Sequence, residues 1–243
     1  MKRYYGYCLL PLFVMLLAGC TDYAVEKDGV YYKFWNEGQG RGRWRIDADP
    51  ETFESIGDGY GKDRQSVFYK GNPVPGADPA TFTRMDGLYS KDRYRGYYAG
   101  DSIAGSRGAD LRVIDSYYST DGLDIFYETS PLHVCNTEHF RILDNKGKES
   151  EYQRWSTDGC HYFFMNFKIP SDDYAHVELF RESAGFAKDR RQVYFMDRKL
   201  NVDYDGSTIL DTVDVATFTV TDYIECRDRF GCINPYQGRK SCD

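Results

Sequence analysis

The chain has 243 residues, a formal charge of −7, 22 tyrosines, 15 phenylalanines and seven cysteines. So acidic a balance argues against a nucleic-acid partner and against electrostatic adhesion of the whole chain to anionic lipid. Aromatic residues make up 16% of the sequence and leucine is scarce, so the expected core is layered Tyr and Phe.

In chain order, Lys2-Arg3 and the apolar run Cys8 to Leu17 form a charged head and a hydrophobic segment too short to span a bilayer. Residues 1–19 read as a signal peptide. Leu17-Ala18-Gly19-Cys20 has the form of a bacterial lipobox, which predicts cleavage before Cys20 and acylation of its sulfur; secretion with Cys20 as a plain thiol is the alternative. Each buried CH₂ of an acyl chain contributes about 0.8 kcal/mol to membrane attachment. Residues 20–24 are then a short lipidated tether, and the mature chain carries a charge of −9 once Lys2 and Arg3 are gone. Thr21, where Asp would signal retention, resembles the Gram-negative sorting pattern for the outer membrane, facing the periplasm or the cell surface.

Residues 25–243 contain no second hydrophobic segment and no clear linker, and are expected to form one domain. A module recurs along them. A Lys/Thr/Arg-Asp corner appears at Asp28, Asp63, Asp92, Asp121, Asp158, Asp189 and Asp228. Aromatic pairs follow at Tyr31-Tyr32, Phe68-Tyr69, Tyr97-Tyr98, Phe126-Tyr127, Phe163-Phe164 and Tyr194-Phe195. Alternating residues such as Val67 and Tyr69 suit a half-buried strand, and the polar corner turns one strand back on the next. A closing Asp/Asn-x-x-x-Phe occurs at Asp49 to Phe53, Asp78 to Phe82, Asn136 to Phe140 and Asp214 to Phe218, each predicted to be a capped helical turn that drops its ring on the hairpin. The prediction is all-β: about seven stacked β-hairpin repeats with short helical turns, solenoid-like, with a β-propeller as the alternative.

These corners and aromatic pairs resemble the DKNYY family of bacterial repeat proteins, most closely at Tyr60–Tyr69 and Phe186–Phe195. The resemblance runs through nearly all of the chain after residue 24 and is degenerate at Thr120-Asp121 and Thr157-Asp158. It implies an exported or surface location and no established activity.

Two stretches interrupt the pattern. Asn36-Glu37-Gly38-Gln39-Gly40-Arg41-Gly42-Arg43 has the glycines and arginines of an anion cradle without the strand-loop-helix around them, and is expected to be a long hairpin tip. Asp144 to Glu149 reads as a solvated loop. Asn201-Val202-Asp203-Tyr204-Asp205-Gly206 has half of a calcium loop, but Thr212 stands where a bidentate Glu belongs; Asp211 and Asp214 are the substitutes, and an acidic turn is the simpler reading.

With Cys8 in the signal and Cys20 lipidated, five cysteines remain. In an oxidising compartment the expected pairs are Cys135–Cys160 and Cys226–Cys232, with Cys232–Cys242 as the alternative to the second. His133, Cys135, His139, Cys160 and His161 also supply zinc-ligand types, though not at a known spacing. Catalytic motifs are missing, and acidic pairs such as Asp172-Asp173 are expected by chance in this composition. The function expected is therefore non-catalytic: a lipid-anchored envelope scaffold for a protein or glycan, without cofactor. An envelope polysaccharide hydrolase using two carboxylates, and a metal-binding periplasmic protein, are the alternatives.

Overall fold

A computed structural model describes residues 22–143, 155–200 and 213–242. Among them lie 27 strands in seven antiparallel sheets, one of three strands and six of four, and no α-helix. The repeat is thus a four-stranded meander whose central pair is the hairpin seen in the sequence. The chain divides into two compact units, Met1–Val74 and Pro75–Asp243.

In the first unit, β1 (Tyr23–Glu26), β2 (Gly29–Asn36) and β3 (Gly40–Ile46) form the three-stranded sheet, and β4 (Glu54–Gly57), β5 (Tyr60–Lys62), β6 (Val67–Tyr69) and β7 (Asn72–Pro73) form a four-stranded one. Their shared core holds Tyr23, Val30, Tyr32 and Ile46 against Phe53 and Phe68. The buried Tyr23 hydroxyl donates to the Gly59 carbonyl at 2.8 Å and accepts the Gly71 N–H at 3.0 Å, tying β1 to two of the three turns of the second sheet.

The second unit has five meanders. Their central hairpins are Tyr89–Lys91 with Gly96–Tyr98, Tyr118–Thr120 with Ile125–Tyr127, Trp155–Thr157 with Tyr162–Phe164, Phe186–Lys188 with Val193–Phe195, and Cys226–Asp228 with Gly231–Asn234. Each hydrophobic cluster spans two successive sheets. Tyr89 and Ile103 pack with Leu111 and Phe126, and Tyr118 and Ile125 with Phe163. Trp155 and Phe164 meet Ala187 and Tyr194, and Phe186 and Phe195 meet Phe218, Cys226 and Ile233. No sheet buries its aromatic face alone, which is the condition that holds a repeat array together.

Local chemistry explains the unit. The second and third strands of a meander are held four residues apart by the corner, as in Lys62↔Val67, Lys91↔Gly96 and Lys188↔Val193. The third and fourth are joined by two residues whose first has positive φ, at Lys70, Ala99, Glu128, Met165 and Met196, as a hairpin turn matched to strand twist requires. In five of the six meanders a small, buried residue sits in the middle of the second strand (Gly61, Ser90, Ser119, Ser156, Ala187); the last has the exposed Arg227 there. At Gly61 the reason is direct: a Cβ there would lie 2.4 Å from the Phe53 ring. The closing segments at Asp49, Asp78, Asn136 and Asp214 are hydrogen-bonded turns, and the two short helices, Gly108–Asp110 and Tyr174–His176, are 3-10 turns at the equivalent place in units where the sequence pattern is weak.

Candidate functional site

Six of the seven repeated aspartates each accept several hydrogen bonds from the fold. Asp63 accepts N–H bonds from Gln65 (2.8 Å) and Ser66 (2.7 Å) of its own corner and from Asp49 (2.9 Å), which begins the preceding closing turn. Asp92 does the same with Tyr94, Arg95 and Asp78, and also accepts the Tyr97 hydroxyl at 2.7 Å. Asp121 takes Leu123, Asp124 and Arg107; Asp158 takes Cys160, His161 and Cys135. Asp189 takes Arg191, Gln192 and the hydroxyls of Ser171 and Tyr194. Asp228 takes Phe230, Asp214 and the Arg239 guanidinium. Asp28 stands apart: it lies on an exposed two-residue turn, where its carboxylate accepts the Tyr31 hydroxyl at 2.8 Å.

At Asp92, Asp121, Asp158, Asp189 and Asp228 burial is the largest influence and acts to raise the pKa. The N–H and O–H donors together outweigh it, so each carboxyl lies below its ordinary value, Asp189 at about 2. Asp173 is also lowered, first by its bond to His176 Nδ1 (2.6 Å) and then by Arg190 (2.8 Å). Every carboxyl shift resolved among the described residues is downward; a general acid needs the opposite. These carboxylates are tied into the backbone.

The structure joins Cys135 to Cys160 and Cys232 to Cys242, and leaves Cys226 free and buried. The Cys226–Cys232 pairing is thereby replaced, and strand parity gives the reason. Cys226 lies opposite Ile233 and Cys232 opposite Arg227, so the two sulfurs point to opposite faces of the sheet. Cys232 is paired with Lys240, two residues before Cys242, and shares its face. Burial pushes the Cys226 thiol up to about 12.

Of the five zinc-type residues, Cys135 and His161 do converge: with Asp158 they place ligand atoms within 4.8 Å of one another. The Cys135 sulfur is bound to Cys160, however, and His161 Nδ1 lies 2.8 Å from Asp158 Oδ2, so the group is already satisfied internally. His133 sits 3.3 Å from Asp124, and His139 lies against Gly159. The signal segment, Cys20, the Asp144–Glu149 loop and the half calcium loop at 201–206 lie outside the described residues.

The Gly/Arg stretch is the end of the β2–β3 hairpin. Register places Tyr31 opposite Arg45, Lys33 opposite Arg43 and Trp35 opposite Arg41, so these six side chains share one face. Val30, Tyr32, Phe34, Trp44 and Ile46 take the other. Gly42 is required there because a Cβ would lie 2.4 Å from the Phe34 ring. On the first face Trp35 is 66% exposed, and the Arg43 guanidinium lies 4.5 Å from the Tyr31 ring centre while pairing with Glu26. Asp22, Lys33, Phe34, Trp35, Arg41 and Arg43 border an open depression of about 610 Å³.

Two elements of this arrangement were hidden in the sequence. The closing turns at Arg107 and Ser171 escaped notice because Leu111 replaces the ring and Ser171 the acid. The signal for the first was the spacing: the N–H partner stands 14 residues before the corner at Asp63, Asp92, Asp121 and Asp228 alike.

Comparison with known proteins gives one family match, to the model of the DKNYY family over residues 23–198. No curated protein and no solved structure matches the chain.

Proposed function

Because the chain belongs to the DKNYY family, we propose that it is a non-catalytic interaction scaffold of the bacterial envelope. In this reading it is held at the outer membrane by acyl chains on Cys20 and presents its stacked sheets to a protein or glycan. The observation that carries the scaffold role is the use of the carboxylates. The buried corner acids spend their oxygens on N–H and O–H donors of the fold itself, so what the array offers to a partner is surface rather than an acid-base pair. The lipobox Leu17-Ala18-Gly19-Cys20 supports the anchor.

The anchor is tested by metabolic labelling with an acyl analogue. The parent chain takes up label and stays with membranes; Cys20→Ala loses the label and is released. An unlabelled parent refutes the anchor. The scaffold role is tested by cross-linking in intact envelopes followed by purification, and a chain recovered without any specific partner refutes it.

A further inference from the structure

We propose that the outward face of the β2–β3 hairpin binds a strand of acidic polysaccharide, with sugar rings against Trp35 and anionic groups against Lys33 and Arg41. This deepens the scaffold reading and rests on it. The first support is charge. The chain as a whole is acidic at −7, yet the two hairpin strands gather Lys33, Arg41, Arg43 and Arg45 on this face, against three acids at its β1 edge: Glu26, which pairs with Arg43, Asp28, near enough to Arg45 and Arg43 to feel their charge, and Asp22, which lines the depression. Arg43 is ion-paired to Glu26 and Arg45 lies near Asp28, so Lys33 and Arg41, on either side of Trp35, are the cations of this face left without an ion pair among the described residues.

The second support is spacing. Alternate residues of one strand lie about 6.8 Å apart, so Arg41, Arg43 and Arg45 make a straight row of cations about 14 Å long, the shape of a linear polyanion. The third is the aromatic. Trp35 holds an indole 66% exposed between Lys33 and Arg41, at the rim of the 610 Å³ depression. A flat apolar ring among charges suits the apolar face of a sugar whose substituents are polar.

A membrane fits less well. The tip, Asn36 to Gln39, is polar and includes Glu37, and the face carries no aliphatic side chain to enter lipid. The fold of the hairpin does not depend on the outward side chains, since its packing comes from Tyr32, Phe34 and Trp44 on the other side.

The test uses the full-length protein in detergent and fluorescently labelled oligogalacturonate, read by anisotropy. The parent binds, binding weakens as salt is raised, and neutral malto-oligosaccharide of the same length does not bind. Lys33→Gln with Arg41→Gln weakens binding at least about tenfold, and Trp35→Ala does so about fivefold, as for loss of one stacking ring. Arg198→Gln, an exposed cation of the other unit, changes nothing. Circular dichroism of each variant matches the parent. No binding of oligogalacturonate at low salt, binding untouched by the three substitutions, or tighter binding of a single-stranded oligonucleotide or of phosphatidylglycerol vesicles overturns the proposal. If it falls while envelope cross-linking still recovers a partner, the scaffold reading survives; if cross-linking finds none, that reading has failed on its own.

Discussion

Asp92→Asn tests whether a corner carboxylate is the structural knot of its unit. Asp92 Oδ2 accepts the Asp78 N–H (2.9 Å) and the Tyr97 hydroxyl (2.7 Å), and Oδ1 accepts Tyr94 (2.7 Å) and Arg95 (2.9 Å). Asparagine keeps one accepting oxygen and sets an NH₂ against the other two donors. The Tyr97 hydroxyl can turn round and accept, but the Asp78 N–H is left buried without a partner, at about 2 kcal/mol. The surviving bonds lose their charge assistance, adding roughly 1–2 kcal/mol. The total is about 3.5 kcal/mol, equivalent to about a 400-fold loss of protection against amide hydrogen exchange where opening is local. Hydrogen exchange read by mass spectrometry should show this loss in peptides spanning Tyr89 to Ile103 and spare those from Asp214 onward. Asp28→Asn, at an exposed carboxylate that accepts the Tyr31 hydroxyl, is the comparison and should leave exchange unchanged. Equal effects of the two substitutions, or none from Asp92→Asn, would refute the role given to the corner.

Acid should loosen the whole set together. The folded pKa values of Asp92, Asp121, Asp158, Asp189 and Asp228 lie below the ordinary 3.8, so the unfolded chain takes up protons first. Their stabilisation is complete above about pH 4 and disappears as pH falls toward 2, a window that intrinsic fluorescence can follow; a midpoint above pH 5 would contradict it. Peptide mapping without reduction should find Cys135 joined to Cys160 and Cys232 to Cys242, and breaking the first, which closes a span of 25 residues, should cost about 3.5 kcal/mol in urea unfolding. Cys226 should resist iodoacetamide until denaturant is added; rapid labelling of the native protein would mean that its thiol is not buried. Gly61→Val, which drives a side chain into Phe53, should cost about 3 kcal/mol, read as a lowered urea midpoint.

The repeat was legible because its parts are chemically irreplaceable. Only a short carboxylate can gather the N–H groups of a four-residue corner while reaching the turn 14 residues upstream, so the aspartates persist where flanking residues drift from Lys to Thr. Closing rings are less constrained: Leu111 fills the place of Phe82 well enough to bury completely, and the unit around it was invisible to a pattern that asked for phenylalanine. Asp28 shows the reverse error, a motif kept in letters but, with a two-residue turn and no upstream partner among the described residues, without the knot. The cysteine pairing failed on parity: the register of the other corners, Lys62↔Val67, carries over to Arg227↔Cys232 and puts Cys226 and Cys232 on opposite faces, which closeness in sequence alone does not show. The hairpin tip at 36–43 was recognised, yet sorting its arginines onto one side needed the register from Val30↔Ile46 to Asn36↔Gly40.

Sharing every apolar cluster between two successive sheets has a mechanical side. Within the five-sheet unit, a pull on the chain end meets four small interfaces in series rather than one large one. Each sheet that yields exposes the seam of the next and leaves the remainder intact, so extension under load should come as separate steps and refolding should zip back from whatever stub survives. Held at one end by the proposed anchor and gripped at the other, such a body would act as a shock absorber.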